Sequence, residues 1–294
     1  MDYSHVFHND PETFVEKMRR DDKLPCEKVE PIPLDAPKKE GYTRFVCISD
    51  THNLHRQMRH RVPDGDVLIH CGDFTDLGKL EEVEDFNDWL STLPHKHKIV
   101  IAGNHELSFD ERIMANVRKS KADGSYCRFK FLHVIPEDIC KDWPKVLSNC
   151  TFLHDAEVTV NGIRLHGCSW NPEFGGWAFN ERRGQPLLQC WNKIPEGIDI
   201  LLTHSPPAGY NDTVDPHDMC VGDVDLTNAV QQRIKPKYHV YGHIHEAYGY
   251  TTDGKCNYIN CTIVDRRHNP CNKPVIIDFP TPEGAEGMGP IIQH

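Results

Sequence analysis

The amino-acid sequence predicts an α/β (α+β) protein whose strands form both parallel and antiparallel pairs. Two apolar strands, at 66–71 and 98–102, flank a segment at 80–93 in which apolar residues recur every three or four positions. Strand–helix–strand alternation of this kind indicates a parallel sheet that is covered by helices. Further along the chain, Asn161-Gly162 joins two alternating segments, and this pair favours the tight turn of an antiparallel hairpin.

The remaining elements follow from the same two periodicities. Residues 11–22 carry apolar side chains on one helical face, which predicts an amphipathic helix. The prolines of residues 29–37 predict an extended segment, whereas residues 108–150 show no clean period. Strands are predicted, in chain order, at 44–49, 66–71, 98–102, 156–160, 163–167, 198–203, 239–242, 258–260 and 274–279.

Length and composition favour one large domain. The chain has 294 residues, and no low-complexity linker divides it after residue 44. We therefore expect an N-terminal extension at 1–43, a single catalytic domain at 44–280 and a mobile, Gly- and Pro-rich tail at 281–294.

Net charge narrows the range of partners. A formal net charge of -11 argues against a general affinity for nucleic acid or for an anionic membrane. No apolar run is long enough to span a membrane. The first residues lack the pattern of a signal peptide, so a cytoplasmic protein is expected. The 12 cysteines are scattered without a Cys-x-x-Cys pair, and we expect them to be reduced thiols.

Polar residues follow five of the predicted strands directly. Loops at the ends of buried strands carry the chemistry of many α/β proteins. Each short motif by itself has an ordinary interpretation as a turn with an exposed histidine. Their occurrence in one order after five apolar strands predicts instead a single set of metal ligands. The set is Asp50, His52, Asp73, Asn104, His204, His243 and His245, with His105 beside it.

These residue types suit a pair of divalent ions. Two ions about 3.5–4 Å apart require a carboxylate that bridges them, and Asp73 lies between the flanking motifs in the sequence. Oxygen and imidazole ligands favour a catalytic ion, and the lack of cysteine among them disfavours a structural Cys-zinc site. His105-Glu106 is not followed by a histidine at the spacing of a His-Glu-x-x-His zinc protease.

The complete set of motifs resembles the calcineurin-like metallophosphoesterase superfamily. The segments 29–33, 86–90, 191–197 and 242–246 also resemble a narrower group, the metallophosphoesterase-domain-containing (fetal-brain type) proteins. The resemblance implies a β-sandwich of two mixed sheets flanked by α-helices. The superfamily motifs are Asp50-x-His52, Gly72-Asp73, Gly103-Asn104-His105-Glu106, His204 and Gly242-His243-x-His245.

The same resemblance implies a role for each residue of the set. One ion would be held by Asp50, His52, Asp73 and His245. The other would be held by Asp73, Asn104, His204 and His243. His105 would face the scissile phosphate, so His105 and Asn104 are the predicted catalytic residues. The cofactors would be two divalent ions, with Mn first and Fe, Zn or Mg as alternatives.

The implied reaction is hydrolysis of a phosphoester by a hydroxide that bridges the ions. His105 would assist the leaving group, either as a general acid or as a fixed cation. Leu77 stands where the similar protein Ser/Thr phosphatases carry an arginine, which weakens the case for phosphoprotein monoesters. The narrower group is associated with cyclic-nucleotide diesters, and a small diester of this kind is the expected substrate. An aromatic loop with Trp170, Asn171 and Trp177 could bind it, or could only hold the loop.

Three alternatives stay open at this stage. The first is a low-activity scaffold or binding protein on the same fold, although all seven expected ligands are present. The second is a phosphomonoesterase. The third is a DNA nuclease, which the acidic balance disfavours. A homo-oligomer is compatible with the sequence.

Overall fold

Two β-sheets pack face to face, and helices cover the outer face of each sheet. The computed structural model describes residues 4–140 and 142–294. Its strands are β1 Glu27–Lys28, β2 Tyr42–Ile48, β3 Val67–Cys71, β4 His97–Ile101, β5 Thr151–Phe152, β6 Ala156–Val160, β7 Ile163–Cys168, β8 Asn171–Pro172, β9 Asn180–Glu181, β10 Ile200–Thr203, β11 Thr213–Val214, β12 Met219–Cys220, β13 Tyr238–Tyr241, β14 Gly249–Thr252, β15 Asn257–Asn260, β16 Val275–Pro280 and β17 Ile292–Gln293. Its α-helices are α1 Ser4–Phe7, α2 Pro11–Arg20, α3 Leu80–Ser91, α4 Glu111–Asp123, α5 Glu137–Cys140, α6 Trp143–Val146, α7 Gln185–Trp191 and α8 Val224–Asn228.

Both large sheets are mixed, so the predicted fold class is confirmed. The first sheet has the order β16-β2-β3-β4-β5, in which β2 to β5 are parallel and β16 is antiparallel to β2. The second has the order β1-β14-β15-β13-β10-β7-β6-β17. Its central strands β7, β10, β13 and β15 are parallel, and antiparallel strands flank them on both sides. Two small sheets, β8-β9 and β11-β12, complete the strands.

Apolar side chains from the facing sides of the sheets form the central core. Phe45 and Ile69 of the first sheet and Leu165, Leu202 and Val240 of the second belong to one buried cluster. Strands that are buried on both faces lack polar alternation, which is why their sequences are continuous apolar runs. The Asn161-Gly162 turn between β6 and β7 has φ values of 47° and 76°, as a tight hairpin turn requires.

Helices on the outer faces build two further cores. α3 and α4 cover the first sheet, and Val83 and Phe86 pack beside Val46 and Leu68. α2, α7 and α8 cover the second sheet, where α2 buries Phe14, Val15 and Met18 as its predicted apolar face. The N-terminal residues thus share a core with the sheet that carries His204 and His243. Each buried aromatic or aliphatic side chain stabilises this docking by roughly 1.5–3 kcal/mol.

The predicted domain boundaries at 43 and 280 stay predictions. Beyond them, β1 adds to the edge of the second sheet by pairing with β14, and β17 of the predicted tail pairs with β6 at the opposite edge. The unassigned stretch 108–150 contains α4, α5 and α6, and α4 ends at Gly124 in the left-handed conformation. Among the described residues, no helix has the length and apolar character that a membrane crossing requires. Each cysteine whose side chain the structure describes, which leaves out Cys140, is a free thiol.

A buried ion pair joins the two antiparallel strands of the first sheet. Arg44 of β2 and Asp278 of β16 are register partners, and two guanidinium nitrogens donate to the Asp278 carboxylate at 2.8 Å each. Both side chains are buried, and the remaining Arg44 donors reach the carbonyls of Ala36 and Pro37. Arg44 therefore holds both the sheet and the segment that leads into it.

Substituting Asp278 by Asn should lower the free energy of unfolding by about 3 to 5 kcal/mol, because Arg44 would stay buried without its counter-charge. Urea denaturation measures the change. The control is Glu181→Gln, which breaks the more exposed contact with Arg112 (3.3 Å) and should cost less than about 1 kcal/mol. Equal effects of the two substitutions would contradict a structural role for the buried pair.

Candidate metal centre

Five strand ends meet at one edge of the sandwich. β2, β3 and β4 are parallel neighbours in the first sheet, and β10 and β13 are parallel neighbours in the second. Three of the loops that follow them pass through the left-handed region, at Asp50 (φ 53°), Asp73 (φ 53°) and His243 (φ 67°). This conformation is uncommon outside glycine and occurs where the surrounding structure fixes a functional loop.

Asp73 lies at the centre of the first cluster of ligands. Its Oδ2 is 3.2 Å from Nε2 of His204, which is 3.0 Å from Oδ1 of Asn104. Potential ligand atoms of Asp73, His204 and His243 all lie within 4.8 Å of one another. Nδ1 of His204 donates to the carbonyl of Cys71 at 2.7 Å, which orients the ring and leaves Nε2 for a metal ion.

Asp50, His52 and His245 form the second cluster. Nε2 of His245 is 3.5 Å from Oδ1 of Asp50 and 3.2 Å from Nε2 of His52. Nε2 of His52 is also 3.8 Å from Oδ2 of Asp73, so Asp73 reaches both clusters. The backbone N–H of His243 donates to the Asp50 carboxylate at 3.0 Å and joins the loops of the two sheets.

Two glycines make this close approach possible. A Cβ atom at Gly242 would lie 2.0 Å from Oδ2 of Asp50, and one at Gly103 would lie 2.3 Å from Oδ1 of Asp73. Neither distance is sterically allowed. The motifs therefore require glycine at 103 and 242, because any larger residue would overlap the carboxylate of Asp73 or of Asp50.

Glu106 connects the loop at Asp73 to the loop at Gly103. Its buried carboxylate accepts the backbone N–H groups of Asp73 (2.9 Å), Thr75 (2.9 Å) and Gly103 (2.6 Å), and the Thr75 hydroxyl at 2.8 Å. Burial and the nearby charge of Asp73 raise the pKa of Glu106 to about 7. Glu106 thus acts on the site through the backbone of its neighbours and orients the loop that carries Asp73.

Burial and mutual charge set the protonation of the ligands. Burial alone would raise the pKa of Asp73, but the imidazoles of His204 and His105 lower it well below its usual range. Burial opposes a charge on His204, yet Asp73 raises the pKa of that imidazole to about 9. Burial lowers the pKa of His52 and of His243 to about 3, so both present neutral nitrogens to an ion.

His105 stands beside the clusters in a fixed orientation. Its Nδ1 donates to the carbonyl of Asp76 at 2.6 Å, and its backbone N–H donates to Oδ1 of Asp73 at 2.9 Å. The ring stacks on Trp177 with centroids 4.3 Å apart, and it meets the edge of His52 at 4.6 Å. Trp177 of the predicted aromatic loop is therefore brought to the site, in contact with His105.

Trp170 and Asn171 have different surroundings. The indole N–H of Trp170 donates to the Asp155 carboxylate at 3.1 Å, and its ring lies 4.8 Å from the guanidinium of Arg112. Asn171 is fully buried and donates to the carbonyl of Ser169 at 2.9 Å. These contacts hold the loop. A substrate-binding role for Trp170 and Asn171 stays a prediction without a described contact to the ligand clusters.

One residue near the clusters has no counterpart in the sequence reasoning. His268 lies in a polar loop that follows no strand directly, so the strand-end pattern could not select it. Its potential ligand atom lies within 4.8 Å of those of His52 and His245. Only the fold brings residues 52, 245 and 268 together.

The comparisons with known proteins agree with this geometry. The family model described as Calcineurin-like phosphoesterase matches residues 43–247. Metallophosphoesterase domain-containing protein 1 of Homo sapiens is 49% identical over 257 residues, which cover 87% of this chain and 77% of that protein. A UPF0046 protein of Caenorhabditis elegans is 42% identical over 268 residues, with 88% and 89% covered. A solved crystal structure that is 13% identical has a TM-score of 0.50 over 81% of this chain and 99% of its own, which supports the fold.

A fold with these ligand clusters defines a metal-dependent phosphoesterase. The chain belongs to the calcineurin-like phosphoesterase family, and within it to the metallophosphoesterase domain-containing proteins. The predicted family and the predicted hydrolase class are confirmed.

The residues present fit a pair of divalent ions. Asp73 is grouped with His204 and His243 and also lies 3.8 Å from His52 of the second cluster, so one carboxylate reaches both clusters, as a bridged pair requires. Imidazole, carboxylate and amide donors without thiolate suit a catalytic ion. The fold and these groups together indicate a dinuclear metal centre.

Binding of divalent ions should strengthen between pH 7 and pH 9. With a pKa of about 9, His204 keeps a proton beside Asp73 at neutral pH, and an ion must displace that proton. As the pH rises toward 9 the proton is lost from the free protein, so the competition weakens. Equilibrium dialysis of Mn²⁺ at a series of pH values measures the trend. A plateau already at pH 7.5, as expected of ordinary histidines, would contradict the raised pKa of His204.

Proposed function

We propose that this protein hydrolyses small phosphodiesters, with cyclic nucleotides as the leading substrate class. The observation that carries the proposal is the position of His105, an imidazole held beside both ligand clusters by Asp76 and Trp177. A histidine that is fixed in place but is not a metal ligand is suited to protonate the leaving oxygen.

His105, Trp177 and Asn104 have separate roles in the proposed reaction. Nδ1 of His105 is committed to the carbonyl of Asp76, so Nε2 is the atom that, in the doubly protonated imidazolium, can give its proton to a departing alkoxide and return to the neutral imidazole. Stacking on Trp177 restricts rotation of the ring and keeps that atom in place. Asn104 contributes a neutral amide oxygen beside His204, which limits the negative charge that a phosphate would meet.

Two divalent ions, when bound, would supply an activated water and neutralise charge on the phosphoryl oxygens. Asp50, His52 and His245 would hold one ion, and Asn104, His204 and His243 the other, with Asp73 between them. Mn²⁺ is proposed first and Fe, Zn or Mg as alternatives, because oxygen and imidazole donors accept all of them.

A groove beside the ligands offers room for an organic group. It has a volume of about 520 Å³, and the ligands His243 and His245 form part of its wall. The nucleoside of a cyclic nucleotide, or the second ester group of another diester, must be accommodated beside the phosphate, and this groove provides space for it. The other lining residues are Pro172, Glu173, Phe174, Arg183, Ser205, Val214, Met219, Val221, Ile244, Glu246 and Arg266.

The balance of charge supports a small substrate over a nucleic acid. The chain carries a net charge of -11, and the two groove arginines are each paired with an aspartate, Arg183 with Asp223 and Arg266 with Asp215. Paired arginines do not form the basic stripe that a nucleic-acid backbone requires.

Metal-free protein should hydrolyse bis(p-nitrophenyl) phosphate only after Mn²⁺ is added. Asp73→Ala should abolish both turnover and binding of the ion pair, because Asp73 contacts both clusters. His105→Ala should leave both ions bound and reduce kcat for a cyclic nucleotide, measured as release of the nucleoside monophosphate, by about 100-fold or more, because an alkoxide leaving group needs the proton. The loss for bis(p-nitrophenyl) phosphate should be smaller, because p-nitrophenolate leaves without one. Release of p-nitrophenol and ion content measured on the same samples separate the two effects.

The matching monoester, p-nitrophenyl phosphate, is the control substrate. Preference for the diester supports the proposal. Preference for the monoester would replace it by a phosphomonoesterase, and no turnover with two ions bound would replace it by a scaffold protein.

Phe174→Ala should raise KM for bis(p-nitrophenyl) phosphate about fivefold to tenfold with little change in kcat. The Phe174 side chain is 73% exposed at the groove, where it can contact the second ring of the diester. The alanine variant would lose this apolar contact. Methyl p-nitrophenyl phosphate, which lacks that ring, should be unaffected. Tyr126→Ala, at an aromatic residue that is 88% exposed and does not line the groove, is the matched control. An equal rise in KM for both diesters would contradict this use of the groove.

A further inference from the structure

His268 lies against the second ligand cluster. Its ring centroid is 4.9 Å from that of His52 and 5.0 Å from that of His245. The potential ligand atoms of these three histidines all lie within 4.8 Å of one another. Three imidazole nitrogens at this separation can reach one ion with only small side-chain adjustments, since each metal–nitrogen bond spans about 2.0–2.1 Å.

The loop that carries His268 is held in one conformation by its own hydrogen bonds. The Asp265 carboxylate accepts the backbone N–H groups of Arg267 (2.8 Å) and Asn269 (2.9 Å), and the His268 N–H donates to the Asp265 carbonyl at 2.8 Å. His268 itself adopts φ 57°, a conformation that costs a non-glycine residue free energy. The internal hydrogen bonds of the loop hold the imidazole in this position.

The same loop is anchored next to Asp50. The N–H of Ile263 donates to the carbonyl of Ser49 at 2.8 Å, one residue before Asp50, and the N–H of Arg59 donates to the carbonyl of Pro270 at 2.9 Å. The loop therefore keeps its register with the strand end that supplies Asp50 and His52. His268 is exposed to solvent, whereas Asp50 and His52 are buried.

We propose that His268 is an additional ligand of the ion held by Asp50, His52, Asp73 and His245, and that it closes the solvent side of that ion. The inference rests on the dinuclear centre of the proposed function. A third neutral imidazole adds a donor without adding charge. It shifts the preference of this position toward later transition ions such as Zn²⁺ or Co²⁺, and away from Mg²⁺, which prefers oxygen ligands.

The test is binding of Co²⁺ to metal-free protein, followed by calorimetry and by the visible absorption of the ion. His268→Gly removes the imidazole and relieves the backbone at φ 57°, so the loop should be retained. In this variant one of the two ions should bind at least about 10-fold more weakly, with an altered absorption band, and the other should be unchanged. Affinity for Mg²⁺ should change little.

Two further variants separate ligation from loop structure. His268→Asp restores a ligating side chain that tolerates the left-handed conformation, and should recover most of the Co²⁺ affinity. His217→Ala removes another exposed histidine and should have no effect.

The possible outcomes are distinct. Wild-type affinity and an unchanged spectrum for both ions in His268→Gly would overturn the role of His268 and leave the proposed function intact. A wild-type protein that binds no pair of Co²⁺ ions would overturn the dinuclear centre and the proposed function with it.

Discussion

Asp73 and His204 face each other across the junction between the two sheets, with oxygen and nitrogen 3.2 Å apart. Asp73 follows β3 in the first sheet and His204 follows β10 in the second, so this contact requires the sheets to pack in one relative orientation. The central core of facing apolar side chains fixes that orientation. The charges in the site depend on it as well, because each residue shifts the pKa of the other in the direction of its charged form.

The loops around this contact are rigid for a physical reason. Buried carboxylates take the place of backbone partners at the strand ends, since Glu106 accepts the N–H groups of Asp73 and Gly103, and Asp50 accepts that of His243. A buried charge is tolerated only when its hydrogen bonds are satisfied. The ligands are thereby positioned before any ion binds, which reduces the entropy that binding must overcome.

In the proposed function, reaction chemistry and substrate choice occupy different parts of the fold. The ligands and His105 follow the central strands, whereas the groove beside them is formed by β11-β12, the loop at Phe174 and the loop at Arg266. Loops that contribute little to the central core can change without loss of the sandwich. Members of a family with a common metal centre can therefore differ in the organic group that they accept.

Sequence periodicity alone determined nine of the seventeen strands, the hairpin at Asn161-Gly162 and the order of the ligand motifs, because these are local patterns of burial and turn geometry. The structure assigned helix α4, which lies in the segment without a clean period, and helices α7 and α8, for which the sequence made no prediction; all three are stabilised by packing on the sheets. It also decided the surroundings of the aromatic loop, where Trp177 stacks on His105 and Trp170 is held by Asp155. His268 illustrates the limit of sequence patterns: no strand precedes it directly, and only the packing of its loop against the end of β2 brings it to His52 and His245.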